Sequence, residues 1–243
     1  MLPHANNLKS RTSPIRCIVM HSTGSGLAAR AERKAPYAID PSKYEAAALE
    51  WYRTSGTQFF GHVLVGPTGT QHNLAPDTRI ALHSASLDGR YQRPDWRKWS
   101  RPIGRKTVTW ERHGRDPAQV WDWWDARWPG VTTPQEFFNT RHINAISIGV
   151  DVLPLPDGTY TDAQVEHTAA LVVELADAHG LEIRTSGKRP TVLGHEDIDP
   201  LRRGTKWRGD RIIGVGWDPG GKWPRERFNE LVWVHLLSTL RPF

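Results

Sequence analysis

The stretch R-C-I-V-M-H-S-T, residues 16–23, predicts a short buried strand that ends at a histidine, His21. A second stretch, A-I-S-I-G-V-D-V-L at residues 145–153, predicts another strand, because apolar and polar positions alternate along it. Its apolar face should hold Ile146, Ile148, Val150 and Val152, and its opposite face Ser147, Gly149 and Asp151. Two side chains with acid–base chemistry, His21 and Asp151, are therefore expected on strands.

Helix and turn signals surround these two strands. Asp40-Pro41 predicts a helix start, with an apolar side formed by Tyr44, Ala47, Ala48 and Trp51 and an end at Gly56. Residues 59–65 and 71–74 predict a hairpin around Pro67-Thr68-Gly69, and residues 80–83 another short extended piece.

The C-terminal part predicts two more helices and one more strand. Thr161 to Gln164 is a capping box, followed by a stripe of Val165, Ala169, Val172 and Ala176 and by Gly180 where the helix should close. Residues 191–193 predict a strand that leads into Gly194-His195. Residues 224–240 predict a last helix whose apolar side is Phe228, Leu231, Val234 and Leu237.

Strands interspersed with helices of this length indicate an α/β fold, a central mixed β-sheet flanked by helices. At 243 residues, the chain predicts a single domain, residues 1–243. Residues 87–143 differ in character, with weak periodicity and seven of the twelve tryptophans, so we expect a loop-rich, Trp-rich insertion at about 87–143. These tryptophans could form the small core of the insertion or an aromatic wall beside a site.

The charge balance is basic, with a net charge of +6 and a pI of about 9.7, which suits an anionic partner. No compact basic block or nucleic-acid motif is present, so we expect no nucleic-acid partner. No apolar run approaches the ~18 residues of a membrane span, and the N-terminus lacks an apolar signal core. We therefore expect that the protein is made in the cytoplasm and does not insert into a membrane. The single cysteine, Cys17, excludes an intrachain disulfide and predicts a buried, inert thiol.

Three residues that follow apolar strands or precede a tight turn could bind one metal ion. His21 and His195 each follow a predicted strand, and Asp218 precedes Pro219-Gly220. Two imidazoles and a carboxylate suit a catalytic zinc with one open position. Spacing alone does not establish such a site, because eleven histidines occur in the chain.

The order of five motifs carries a resemblance to a known family. These are I-V-M-H-S-T, F-G-H-V-L-V-G-P-T-G-T, A-L-H-S-A, N-A-I-S-I-G-V-D and G-H-E-D-I-D-P followed by W-D-P-G. Together they resemble the zinc N-acetylmuramoyl-L-alanine amidases of the type 2 amidase family. That family includes muropeptide-recycling amidases, phage lysins and peptidoglycan recognition proteins. The resemblance covers residues 15–83 and 144–240.

The resemblance implies a zinc ion, Zn2+, held by His21, His195 and Asp218. It implies hydrolysis of the amide between the muramic acid lactyl group and the L-alanine of the stem peptide. Asp151 stands where the recycling amidases carry a glutamate. It could act as the general base, or it could be a hydrogen-bond partner that orients a zinc-binding histidine. We also predict that His83, Asn144 and Trp217 contact substrate, with a structural role for His83 as the alternative. His62 and His72 are expected to be structural.

The chain also departs from the family pattern. Gly216 stands where many members have a lysine that stabilises the oxyanion, and residues 204–216 are inserted before the aspartate. Arg203 or Lys206 could supply the missing charge. Gly61 stands where some members have a tyrosine, which favours the recycling-amidase arrangement.

Function therefore has several candidates at the level of the sequence. The leading one is a zinc amidase that acts on peptidoglycan as a lysin or a secreted antibacterial effector, with an immunity or delivery partner as a further possibility. The alternatives are a cytosolic recycling amidase, a wall-binding module without catalysis, and a basic nucleic-acid binder.

Overall fold

The computed structural model describes residues 8–23, 40–54, 60–83, 98–103, 106–111, 140–185, 190–195, 205–208, 211–214, 219 and 222–239. Side chains are not described in 98–103, 106–111, 140–142, 205–208 and 211–214. The strands are β1 (Cys17–Ser22), β2 (Val63–Val65), β3 (Gln71–Asn73), β4 (Lys98–Ile103), β5 (Lys106–Glu111), β6 (Ser147–Val152), β7 (Val192–Gly194), β8 (Thr205–Arg208) and β9 (Arg211–Gly214). The helices are α1 (Pro41–Thr54), α2 (Thr140–Ile146), α3 (Asp162–Ala178) and α4 (Arg225–Thr239).

The central sheet has five strands in the order β3-β2-β6-β1-β7. Strands β2, β6, β1 and β7 run parallel, and β3 pairs antiparallel with β2. The sheet is therefore mixed, which confirms the predicted fold class. Both faces are covered, as parallel strands require.

One face of the sheet packs on α3 and α4. Alternate residues of β1 and β6, including Ile18, Met20, Ile148 and Val150, join one hydrophobic core with the apolar sides of these helices. The predicted stripe of α3 is buried throughout, at Val165, Ala169, Val172 and Ala176. Thr161 caps α3 by accepting a hydrogen bond from the Gln164 N–H, and Gly180, where the helix was predicted to close, has a positive φ of 61°.

The other face packs on α1, and here the predicted stripe was partly wrong. Asp40 caps the helix by accepting from Ser42 N–H, as expected, but Ala47 and Trp51 are exposed. Tyr44 and Ala48 are buried as predicted, and the third buried position with an apolar ring is Tyr52, so these three residues recur every four positions, with Glu45 buried beside them. A stripe of that spacing continues on one side of a helix, and it brings a tyrosine rather than a tryptophan under the sheet.

Helix α4 also departs from its predicted apolar side. Phe228 and Leu231 are buried, together with Val232, whereas Val234 is 59% and Leu237 63% exposed. A constant spacing of three residues turns by about 60° around the helix at each step, so it was a wrong guide to the last two turns. The buried residues of the first two turns belong to the same hydrophobic core as the sheet and α3.

Smaller differences concern element bounds. The strand predicted at 145–153 begins at Ser147, because Ala145 and Ile146 end helix α2. The strand predicted at 59–65 is shorter and consists of β2 alone. Residues 80–83 form no strand; the neighbouring Arg79 makes an isolated β-bridge with Ser10.

Part of the predicted insertion contains strands. β4 and β5 form a hairpin inside residues 87–143, and β5 pairs with β8 of the second insertion, which continues to β9. The result is a four-stranded antiparallel sheet that joins the two insertions. Pro102 lies in β4, an edge strand, where a missing N–H is tolerated. The loop-rich prediction did not include this sheet, and the roles predicted for the tryptophans concern side chains outside the described ones.

Two predictions from composition concern the single cysteine and membrane-spanning helices. Cys17 is fully buried, and burial raises the pKa of its thiol, as expected for an unreactive cysteine. Among the helices of the described ranges, none has the length and apolarity that a membrane span needs.

Candidate active site

Two histidines meet at the carboxyl ends of neighbouring strands. His21 lies near the end of β1, and His195 directly follows β7, which pairs with β1 through Met20 and Gly194. The Nδ1 atoms of the two imidazoles lie 3.0 Å apart, and both residues are buried. The parallel pairing produces this approach, because it places residues that follow paired positions side by side.

The spacing of these two nitrogens fits a shared zinc ion. Zinc binds histidine nitrogen at about 2.0–2.1 Å with tetrahedral geometry, so two ligand nitrogens lie about 3.3 Å apart. The observed 3.0 Å between His21 Nδ1 and His195 Nδ1 is close to that value. Neutral imidazole nitrogens are also a preferred donor type for zinc.

The third predicted ligand, Asp218, lies outside the described residues. Within the described ranges, no group of three histidine, cysteine, aspartate or glutamate side chains could hold a metal ion. The pair of histidines is thus the part of the predicted metal site whose geometry is described. The complete ligand set stays a prediction.

A chain of hydrogen-bonding groups continues from His21 away from His195. His21 Nε2 lies 2.9 Å from His83 Nδ1, and His83 Nε2 lies 2.9 Å from Ser147 Oγ. The Ser147 hydroxyl donates to the main-chain carbonyl of Ile143 in α2, at 2.5 Å. His83 is buried, so its contacts favour a structural role over the predicted contact with substrate, which stays untested.

Burial keeps the imidazoles behind the site uncharged. Desolvation, with the nearby His21 imidazole as a second cause, lowers the pKa of His83 well below its usual value. Desolvation and the Arg11 guanidinium lower the pKa of His62 to about 4. Both rings are therefore neutral near pH 7.

The candidate general base, Asp151, faces the same side of the sheet as His21. The two residues are paired in register on the neighbouring strands β1 and β6. Asp151 Oδ2 accepts hydrogen bonds from the main-chain N–H of Gly61, at 2.8 Å, and from the hydroxyl of Tyr52, at 3.1 Å. Two donors thus hold one carboxylate oxygen in a fixed position.

Tyr52 is a site residue that the sequence interpretation missed. Its hydroxyl contacts both Asp151 and the hydroxyl of Thr23, at the end of the β1 segment. The available signal was the four-residue spacing of Tyr44, Ala48 and Tyr52, which places Tyr52 under the sheet. Choosing Trp51 as the buried aromatic concealed it.

Two glycines make room for these contacts. A Cβ at Gly149 would lie 2.5 Å from Cγ of His83, and a Cβ at Gly61 would lie 2.7 Å from the carbonyl oxygen of Gly149. Gly149 therefore allows the His83 ring to lie against β6. Gly61 allows its own main chain to approach β6 and reach Asp151.

Of the four other predicted site residues, only Asn144 has a described side chain. Arg203 and Trp217 lie outside the described residues, and Lys206 is described only as a backbone position in β8, opposite Trp110. Asn144 is fully buried in α2, where its main-chain carbonyl accepts from Arg11. Such burial gives no support for a substrate contact by Asn144, and all four roles stay predictions.

His62 and His72 have structural contacts, as expected. His62 Nδ1 accepts from Gly149 N–H at 3.0 Å. His72 Nε2 lies 2.6 Å from the buried carboxylate of Glu45, which also accepts from Thr68 in the hairpin turn. These contacts fix the hairpin to β6 and to α1.

The similarity of the sequence to known proteins identifies a family. A sequence model described as N-acetylmuramoyl-L-alanine amidase matches residues 11–220, a range that includes His21, Asp151, His195 and Asp218. Among solved structures, the crystal structure of a selenomethionine AmpD derivative is similar at 18% identity and a TM-score of 0.45, over 95% of this chain and 91% of that one. No curated protein sequence matches the chain.

Proposed function

Because the chain belongs to the N-acetylmuramoyl-L-alanine amidase family, we propose that it is a zinc-dependent peptidoglycan amidase. The bond hydrolysed is the amide between N-acetylmuramic acid and the L-alanine of the stem peptide. The observation that carries the proposal is the distance of 3.0 Å between His21 Nδ1 and His195 Nδ1, next to β6, the strand that carries Asp151.

His21, His195 and Asp218 would hold the zinc ion. The chemistry that zinc supplies in such a site is polarisation of the scissile carbonyl and acidification of water. The protein's own contribution is rigidity, since His21 lies on β1 inside the sheet and His195 directly follows β7, the edge strand that pairs with β1.

Asp151 would act as the general base and then as the general acid. Its carboxylate takes a proton from the attacking water and returns it to the leaving amine of L-alanine. The hydrogen bonds from Gly61 and Tyr52 hold Oδ2, so the carboxylate keeps one orientation in both steps. Arg203 or Lys206 would stabilise the charge that develops on the carbonyl oxygen, in place of the family lysine.

The basic charge of the chain supports a role on the intact cell wall. A net charge of +6 favours encounter with a negatively charged polymer. We therefore place the protein as a lysin or secreted antibacterial effector that reaches the wall after lysis or export, with an immunity or delivery partner. A cytosolic recycling amidase would instead act on small soluble muropeptides.

The test is product analysis after digestion of purified sacculi. Zinc-loaded protein should release stem peptides that begin with a free L-alanine amine, detected by mass spectrometry, and His195→Ala should release none. If sacculi bind the protein but the amide stays intact, the protein is a binding module and the proposal is wrong. A comparison of turnover on sacculi and on soluble muropeptides separates the lysin role from recycling.

A further inference from the structure

We propose that His83 and Ser147 are positioning residues that fix the tautomer of His21, so that its Nδ1 presents a lone pair towards His195. The inference rests on the proposed zinc site. It concerns two side chains that would not touch the metal ion or the substrate. Its physical basis is the direction of three consecutive hydrogen bonds.

The direction is set at the far end of the chain. A main-chain carbonyl can only accept, so the contact of 2.5 Å between Ser147 Oγ and the Ile143 carbonyl uses the hydroxyl hydrogen of Ser147. This carbonyl lies in the last turn of α2, where helical carbonyls lack partners within the helix. Ser147 therefore has only lone pairs to offer to His83.

The remaining two bonds follow from that constraint. The 2.9 Å contact of Ser147 Oγ with His83 Nε2 needs a hydrogen on Nε2. A neutral imidazole carries a single N–H, so Nδ1 of His83 then accepts. The 2.9 Å contact between His83 Nδ1 and His21 Nε2 in turn needs a hydrogen on His21 Nε2. The hydrogen of a neutral His21 is therefore on Nε2, and Nδ1 has the lone pair.

The enclosure of the chain maintains this order. Ser147 is fully buried and His83 nearly so, and a charge on His83 would have no carboxylate among its hydrogen-bond partners. Gly149 gives the ring its space, since any Cβ there would collide with it. The His83 ring can therefore lie directly against β6, within reach of both Ser147 and His21.

Zinc affinity is the property that this arrangement should control. Zinc binds a deprotonated ring nitrogen, and groups that orient a ligand histidine change metal affinity about 10–100-fold. Asparagine offers a matched replacement, because its Oδ1 can take the place of His83 Nδ1 as acceptor. Phenylalanine fills similar space without any acceptor.

The first experiment measures zinc affinity of the full chain by competition with a chromophoric chelator. His83→Phe should weaken affinity about 10–100-fold, whereas His83→Asn should stay within about threefold of the parent protein. Equal losses in the two variants would show that His83 acts only through packing and would overturn the proposal. Thermal unfolding of each variant checks that it is folded.

The second experiment needs no variant and remains decisive if the variants fail to fold. Long-range 15N–1H correlation spectra of the metal-free parent protein report which ring nitrogen of each histidine is protonated. We expect hydrogen on Nε2 of both His21 and His83. Hydrogen on Nδ1 of His21 would contradict the inference. Zinc binding and amide hydrolysis by the parent protein test the proposed function separately, so either idea can fail alone.

Discussion

Strand β6 contributes one residue to each of two groups of polar contacts, Ser147 near its start and Asp151 near its end, and the two groups differ in what they contain. The imidazole chain begins at Ser147, which donates to a main-chain carbonyl, and it continues through the uncharged His83 ring to His21 on β1. Near the end of β6, the carboxylate cluster consists of Asp151 with its two donors, Tyr52 and the Gly61 N–H. Both groups lie on the same face of the sheet, because Ser147 and Asp151 are four residues apart on one strand.

The difference indicates a division of tasks. A series of hydrogen-bonded imidazole and hydroxyl groups that ends on a carbonyl can orient a ring. It cannot take up a proton without breaking its own hydrogen bonds. A carboxylate held by two donors can accept a proton while it keeps its position. We therefore expect changes in the imidazole chain to alter metal affinity, and changes in the carboxylate cluster to alter turnover.

The largest effect is expected where the metal itself is held. His195→Ala removes one of the two imidazole nitrogens that approach within 3.0 Å, so the variant should lose both bound zinc and amidase activity. Elemental analysis after dialysis against a chelator, together with the sacculus assay, measures both. His167→Ala, an exposed histidine on α3, is the matched control and should behave as the parent protein. Retention of zinc by His195→Ala would remove His195 from the metal site.

Replacement of the carboxylate should separate the two tasks. Asp151→Asn and Asp151→Ala should keep bound zinc but reduce kcat about 10²–10⁴-fold, the usual contribution of a general acid–base group. The measurement is kcat at saturating substrate on protein of verified zinc content. An Asp151→Ala protein of full activity would refute the assignment of the base. Loss of zinc in both variants would instead support the alternative, that Asp151 supports a zinc histidine.

A smaller effect is expected from the hydroxyl that the sequence did not reveal. Tyr52→Phe removes one donor from Asp151 Oδ2 and leaves the Gly61 N–H in place. A hydrogen bond to a charged group contributes about 1.5–3 kcal/mol, so kcat should fall about 10–100-fold. Zinc affinity should not change, in contrast to His83→Phe. A Tyr52→Phe variant with parental kcat would show that the Gly61 N–H alone is sufficient.

The sequence predicted those parts of this arrangement that depend on local periodicity. Alternation along 145–153 correctly placed Ser147, Gly149 and Asp151 on one face of a strand, and the capping box predicted the start and buried stripe of α3. The strand ending at His21 was predicted for the same reason. These patterns are local because backbone geometry fixes which residues share a face.

What the sequence did not predict depends on contacts between distant segments. Nothing near Tyr52 indicates that its hydroxyl meets Asp151, 99 residues away, and Trp51 looked equally apolar. The sequence left a substrate contact and a structural role open for His83, because the residues that enclose it, Ser147 and Gly149, lie on β6, more than 60 residues away. The sheet formed by β4, β5, β8 and β9 likewise joins two insertions, through the pairing of β5 with β8, whose residues are nearly 100 positions apart in sequence.

The smallest effect we expect is on stability in mild acid, and it tests the neutral character of the region around the imidazole chain. His62, whose Nδ1 accepts from Gly149 N–H, has a pKa lowered to about 4 by burial and by Arg11, against an ordinary value of about 6.5. Between these values the unfolded chain binds a proton at His62 that the folded protein does not. Stability should therefore fall as the pH decreases from 6.5 towards 4 and should be insensitive to this group above 6.5.

The expected size follows from the same shift. His62 should lower the free energy of unfolding by about 2 kcal/mol between pH 7 and pH 5. Urea unfolding at pH 7 and pH 5 gives the loss of unfolding free energy between the two pH values, in the parent protein and in His62→Gln. The difference between these two losses is the contribution of His62, because the cost of the substitution itself cancels. The pH-dependent loss should be about 2 kcal/mol smaller in His62→Gln. Equal losses would mean that His62 becomes protonated in the folded protein, and the imidazole side of β6 would then not be a neutral region near pH 5.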